Sequence, residues 1–171
     1  MELDLQPTLT GRLVELRPLQ PGHYGELYAV AADPLIWKQH PNSDRHEPDV
    51  FKTFFDEALA SGGALIVIDR ASGRVIGSSR FHGYDADKSE VEIGWTFLAR
   101  SHWGGGYNGD MKALMLRHAF GFVNRVIFVV GPENFRSQRA VEKLGAVRVG
   151  QRPDAGGRID VVYAIAVPTA R

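Results

Sequence analysis

The run EVEIGWTFLARSHWGGGYNGDMKALMLRHAF, residues 90–120, changes character twice. Its first part, Glu90–Leu98, is dense in β-formers and alternates with the period of a strand. Residues 100–109 are polar and glycine-rich, which ends the alternation and permits a sharp change of chain direction. Met111, Leu114, Met115, Ala119 and Phe122 then recur at helical spacing and supply an apolar stripe for one face of a sheet. A strand, a glycine loop and a central helix are expected in that order. Downstream, residues 126–130 form a fully apolar strand, residues 135–144 a helix, and residues 146–150 and 159–167 a closing hairpin over a Pro/Gly loop. Upstream, residues 13–17 read as a first strand, and after Pro18 the positions Leu19, Tyr24, Leu27, Tyr28 and Ala31 suit a helix that ends before Asp33-Pro34. Residues 37–48 read as an irregular loop. Phe51, Phe54, Phe55, Ala58 and Leu59 mark a second helix closed by Gly62-Gly63, and Ala64–Asp69 with residues 75–81 form a hairpin around residues 71–73. The order is β-α-α-β-β-β-α-β-α-β-β. With crossover helices confined to the second half, it indicates an α+β fold with a mixed sheet of about seven strands and about four helices.

The 171 residues suffice for one well-packed domain, expected over residues 1–171, with no repeat or linker to divide it. Lys+Arg 20 against Asp+Glu 20 gives a net charge of +0, so the positive field that drives nucleic-acid or anionic-membrane binding is lacking. Neither is expected as a partner. With Cys 0, disulfides, cysteine-ligated zinc and a protein thiol nucleophile are excluded, and any thiol chemistry has to come from a cofactor. The opening MELDLQPTLTGRL has no basic start followed by an apolar run, so a cytoplasmic protein is expected. His40, His46, His82 and His102 show no metal-like spacing with carboxylates, and no metal is assigned.

Trp103-Gly104-Gly105-Gly106-Tyr107-Asn108 lets the backbone approach a ligand closely and aim successive N–H groups at one point, with the positive end of a helix behind them. That arrangement suits a pyrophosphate. A plain surface turn is the alternative. Gly104, Gly106 and Gly109 also satisfy the G-x-G-x-x-G dinucleotide fingerprint, but five residues, 99–103, separate the first glycine from the strand. The next strand, ending Val129-Val130-Gly131-Pro132, also lacks an acid for a ribose.

Two further groups stand out. Asn134 and Ser137 open the helix after the apolar strand; the pair can be a helix cap, yet Ser137 shares its face with Ala140, Val141 and Leu144, which directs the hydroxyl inward to a partner. In the strand Glu90–Leu98, period two places Val91, Ile93, Trp95 and Phe97 on one face and Glu90, Glu92, Gly94 and Thr96 on the other. Glu92 is then carried into the sheet on its more polar side.

These motifs, with Leu13-Val14-Glu15-Leu16-Arg17-Pro18-Leu19, Val75-Ile76-Gly77, Glu92-Ile93-Gly94-Trp95, Asn134-Phe135-Arg136-Ser137 and Glu142-Lys143-Leu144-Gly145, resemble the GNAT superfamily of N-acetyltransferases, most closely its ribosomal-protein N-terminal acetyltransferase branch. The resemblance implies a central mixed, mostly antiparallel sheet. It also implies acetyl-CoA as co-substrate, with its phosphates on Trp103, Gly104, Gly105, Gly106, Tyr107 and Asn108; Asn108 departs from the family, which usually has Gly or Ala there. Backbone groups of Phe97 and Leu98 would pair with the pantetheine, Asn134 would bond its arm, and Ser137 would protonate the leaving thiolate; the tyrosine that often serves this purpose is replaced by Val141. Only a neutral amine attacks a thioester: at pH 7 roughly a tenth of an α-amine is neutral, against less than about a thousandth of a lysine ε-amine. A base is therefore useful, and Glu92 is the candidate. Trp37, His40, Phe81, His82 and Tyr84, aromatic or polar groups in or beside loops, are expected to line the acceptor side. The acceptor itself, a protein N-terminus or small amine, is not specified, and the carboxyl-terminal hairpin offers a surface for a homodimer. A dinucleotide oxidoreductase and a non-catalytic acyl-CoA-binding module are the alternatives.

Overall fold

The computed structural model describes residues 2–168. A two-residue strand β1 (Leu9–Thr10) pairs with β2 (Val14–Pro18), and Pro18 and Pro21 then set the chain for a 3₁₀ turn and helix α1 (Tyr24–Ala31). A second 3₁₀ turn, Pro34–Trp37, leads through an irregular stretch to α2 (Pro48–Ser61), which starts on a proline and ends on Gly62 with φ 70°. Strands β3 (Ala64–Asp69), β4 (Val75–Asp85) and β5 (Glu90–Leu98) follow, then α3 (Tyr107–Ala119), β6 (Arg125–Val130), α4 (Phe135–Lys143), β7 (Val147–Pro153) and β8 (Ile159–Ala166). All eight strands form one sheet in the order β1-β2-β3-β4-β5-β6-β8-β7. Only β5 and β6 run parallel. A doubly wound dinucleotide fold needs a run of parallel strands, so the fingerprint reading has no sheet to sit on. No helix among the described residues is long and apolar enough to cross a membrane.

Two layers cover the sheet. On one face Met111, Leu114, Met115 and Ala119 of α3 pack on Val14, Leu16, Val67 and Ile93, with Val141 of α4 joining them. Met111 and Met115 have no exposed surface, and burial of each side chain stabilises the fold by about 1.5–3 kcal/mol. On the other face α1 and α2 bring Leu27, Phe51, Phe54 and Phe55 against Ile66 and Phe97. Asp110, in the first turn of α3, accepts from the backbone N–H groups of Leu13 (2.8 Å) and Val14 (3.1 Å) and so pins the start of the helix to β2.

Three details differ from the sequence reading. The sheet has eight strands because β1 is too short to show a period. Tyr107 and Asn108 lie inside the first turn of α3 and not in the loop, since Gly106 is already the cap. The alternation of β5 breaks at Trp95: Arg80 pairs with Gly94 and Ser78 with Phe97, so Trp95 and Thr96 together face Ser79 in a β-bulge, with Trp95 at φ 52°. Val91 and Ile93 therefore face α3 while Trp95 and Phe97 face α2, which splits a set of residues expected on one side.

Candidate active site

Strands β5 and β6 are in register only at Glu90↔Arg125, Val91↔Val126 and Glu92↔Ile127. Beyond these pairs they part, the bulge turning β5 away, and a cavity of about 850 Å³ opens in the gap. Its walls come from both faces of the sheet: α3, α4 and the glycine loop on one side, the stretch after Trp37 and the β7–β8 loop on the other. The cavity can therefore admit two ligands from opposite faces and bring them together where the strands diverge.

On the α3 side, Gly104, Gly106 and Asn108 line the cavity with Trp103. Gly105 and Tyr107 are not among its walls; Tyr107 packs edge-on against His102, with ring centres 4.7 Å apart. Gly104 and Gly106 take φ 73° and 87°, and Gly106 caps α3 in the left-handed conformation, so the first turn, with N–H groups that have no helical acceptor, borders the cavity at Gly106, Asn108 and Gly109. Trp103 fixes the loop from outside: its indole N–H donates to the Leu98 carbonyl at 2.9 Å, and the Arg136 guanidinium lies 3.6 Å from its ring centre. The Leu98 carbonyl is thus committed to the protein, while the Leu98 N–H shares its side of the strand and faces the gap. Substitution of Gly106 by Val forces a β-branched residue into the left-handed region, and acetyl-CoA affinity measured by calorimetry is expected to fall about tenfold, the equivalent of 1–2 kcal/mol of backbone strain.

Asn134 is 5% exposed and accepts from the Ser137 N–H at 3.4 Å through its side-chain oxygen, which makes it the helix cap. Its amide nitrogen remains available in the cavity wall. Ser137, Ala140, Val141 and Leu144 all line the same cavity, as their shared helix face requires.

On the other face, Glu92 projects beside the gap with its side chain 12% exposed. Arg152 of β7 donates to its Oε1 at 3.4 Å. Burial pushes the carboxyl up to about 7; Arg152 and Arg80 pull it down, and Asp160 adds to the rise. His40 lines the cavity and is held neutral, its pKa driven down to about 3 by burial and by Arg45. Trp37, by contrast, is a core residue at 2% exposure, with its indole N–H donated to the Ala31 carbonyl. Phe81 is buried on the α3 face beside His118, and Tyr84 packs against that same core. Neither borders the cavity, nor does His82, which reaches it only through edge contact with the Trp95 ring at 5.1 Å. Of the five residues expected around an acceptor, His40 alone is in its wall.

Sequence reasoning missed Lys112 and Arg45. Lys112, 4% exposed on α3, lines the cavity and donates to Thr96 Oγ1 at 2.8 Å; Thr96 in turn bonds Ser79 Oγ at 2.8 Å, so the bulge is tied to both its neighbours. Burial depresses its pKa to about 7, and among the described residues it has no carboxylate within ion-pairing distance.

Over residues 13–147 the sequence matches the family model described as an acetyltransferase (GNAT) domain. Among curated proteins no match is found. Solved structures with the same fold include a GCN5-related N-acetyltransferase from Brucella melitensis, with TM-score 0.82 and 23% identity over 94% of this chain and 79% of that one. RimJ from Mycobacterium smegmatis, in complex with CoA-disulfide, gives TM-score 0.73 and 20% identity over 97% and 90% of the two chains. An acetyltransferase from Agrobacterium tumefaciens str. C58 gives 0.74 and 23% over 94% and 95%. A split sheet with a glycine-capped helix on one side of the gap and a partly buried carboxylate on the other, together with a family match that spans most of the sequence, makes the chain a member of the GNAT family of acetyltransferases, which use acetyl-CoA as co-substrate.

Proposed function

We propose that the protein transfers the acetyl group of acetyl-CoA directly to a primary amine, a peptide N-terminus or small amine, within a ternary complex. The observation that carries this reading is the cavity at the parting of β5 and β6, whose walls include Ser137 and the glycine cap as well as Glu92. The pyrophosphate rests on the first turn of α3, with Trp103, Gly104, Gly106 and Asn108 around it, and the pantetheine runs along β5 past the Leu98 N–H and the Asn134 amide. The amine enters from the opposite face. Its nitrogen attacks the thioester carbonyl, Glu92 receives the proton directly or through a water, and the C–S bond breaks as Ser137 protonates the departing thiolate. Glu92 near pKa 7 suits this step, because a base is most effective when it titrates close to the working pH. An acyl-enzyme on sulfur has no place in a chain with Cys 0.

Initial rates of CoA release, measured over a grid of acetyl-CoA and peptide concentrations, test the ternary route. Intersecting double-reciprocal lines are expected; parallel lines, the mark of a covalent acetyl-enzyme, would sink direct transfer. Ser137→Ala is expected to reduce kcat about tenfold or more and to leave the acetyl-CoA dissociation constant within about threefold. Unchanged turnover with intact binding would remove Ser137 from its assigned role.

A further inference from the structure

The acceptor side of the cavity has arginines beside it with which its own carboxylates do not pair. Its acids are Glu92, Asp154 and Asp160. Glu92 is engaged by Arg152 at 3.4 Å, and Arg158 takes both Asp154 at 3.1 Å and Asp160 at 2.7 Å. Arg45 and Arg80 remain, and among the described residues neither has a carboxylate within ion-pairing distance. Asp44 and Glu57 are near enough to be felt by Arg45, and Glu57 and Glu92 by Arg80, but they do not pair with them. Arg80 is 6% exposed, and its Nε is buried with no hydrogen-bond partner.

Both guanidiniums rest on aromatic rings. Arg45 lies 4.4 Å from the Phe54 ring centre and 5.4 Å from that of Trp37. Arg80 lies 4.4 Å from the Trp95 ring centre and 5.7 Å from the same Phe54. Sharing one ring sets two like charges side by side, each already stripped of part of its water, and the repulsion between them is felt at Arg45. Ring faces return only part of what desolvation of a cation costs. An anion beside Arg45 would relieve its penalty and offset the repulsion from Arg80. Arg45 is itself a cavity wall, as is Trp95, the ring on which Arg80 stacks, so a ligand in the acceptor half meets Arg45 near Glu92, with the charge of Arg80 held against the Trp95 ring.

We propose that Arg45, reinforced by the neighbouring charge of Arg80, forms an anion subsite that holds a carboxylate of the amine acceptor. The inference rests on the amine-acetylation reading above and narrows it to amines that carry a carboxylate a few bonds from the nitrogen. Two sources share that chemistry, the side chain of an acidic amino-terminal residue in a peptide and the α-carboxylate of a free amino acid. Guanidinium groups favour carboxylates through paired N–H donors, and the same field opposes polyamines and aminoglycosides.

The direct test is calorimetric titration of N-acetyl-L-aspartate into protein saturated with CoA, so that the phosphate sites are already filled. Saturable binding is expected, at least tenfold tighter than that of N-acetyl-L-asparagine amide, and Arg45→Met should abolish the difference while a folded thermal transition is retained. Equal binding of the acid and the amide to the unsubstituted protein, or a preference that survives Arg45→Met, would overturn the subsite. Acetyl transfer separates the sources: the ratio of kcat/KM for an aspartyl over an asparaginyl peptide amide should be about ten or more and fall to near one in Arg45→Met. A higher value for free aspartate than for the aspartyl peptide would assign the subsite to an α-carboxylate. If N-acetyl-L-aspartate binds as expected while no amine is acetylated, the subsite stands and the amine-acetylation reading falls.

Discussion

Glu92→Gln is expected to reduce kcat for amine acetylation by about 10²-fold or more at neutral pH, with acetyl-CoA binding within about twofold of the unsubstituted protein. The amide keeps the size of the side chain and its contact with Arg152, but cannot accept the proton of the attacking amine. Binding should survive because Glu92 stands on the face of the sheet opposite α3 and the glycine cap. The pH dependence carries the sharper signature. With the carboxyl held near 7 by burial, the base is ionised only above that pH, so kcat in the complex should rise through about pH 7 and level off. In Glu92→Gln that limb should be missing. A free α-amine titrates near ~8 and shows itself in kcat/KM, which allows the two ionisations to be told apart. Stability moves the opposite way: the folded protein keeps a proton on Glu92 between the ordinary carboxylate value of 4.5 and about 7, where the unfolded chain has lost it. This group's contribution to stability therefore declines as pH rises through that window. Thermal midpoints recorded from pH 4.5 to 7.5 should show a shallower decline for Glu92→Gln. Retention of most of the turnover and of the limb near pH 7 would exclude Glu92 as the base.

The parts of this site that are legible in the sequence are those with a local signal. The glycine triplet announces a backbone-lined turn, the stripe from Met111 to Phe122 announces the helix behind it, and Asn134 with Ser137 marks a helix start by capping chemistry that the structure retains. Glu92 lies on the face of β5 opposite Val91 and Ile93, as the two-residue period requires up to that point. It fails three residues later, since nothing in Gly94-Trp95-Thr96 distinguishes a bulge from a continuing strand: a tryptophan at positive φ has no local preference to advertise it. Gly77 was legible only as part of a motif. Its reason is the close approach of the Phe97 carbonyl of β5, which any Cβ would obstruct, and that contact spans β4 and β5. The acceptor side was read least well because its residues come from unrelated segments. Arg45 follows an irregular stretch, Arg80 is buried in β4, where residues 76–81 are all buried without alternation, and Arg158 belongs to the far hairpin. Aromatic character and a place in or beside a loop suggest Trp37 and Phe81 for the site, whereas both rings are ordinary core residues.

Lys112 escaped notice for a related reason, and it yields the second large effect. Between Met111 and Leu114 on α3 it falls off the apolar stripe and reads as solvent-facing, yet α3 is bordered by the core on one side and by the cavity on the other. A buried lysine with a single neutral partner, Thr96, is costly to protonate. Its folded pKa is depressed from 10.5 to about 7, so between those values the unfolded chain binds a proton that the folded protein does not. Stability therefore rises with pH across that window, and at pH 7 the protein bears most of the penalty. Lys112→Met keeps the length of the chain and removes the amine. It is expected to raise the thermal midpoint at pH 7 by about 5–10 °C, the counterpart of a few kcal/mol in a domain of this size. The gain should shrink steadily towards pH 10, where the unsubstituted protein no longer carries the cost. Loss of the Lys112 donor leaves Thr96 bonded to Ser79, so the bulge keeps one of its two ties. A lower midpoint for Lys112→Met at pH 7, or a gain that does not vary with pH, would mean that the amine is neutralised by a charge in the cleft and that its burial is not a net cost. A gain in Lys112→Met would fit the pattern of a site whose side chains are set by ligand contact and not by packing, since Lys112 stands in the cavity wall.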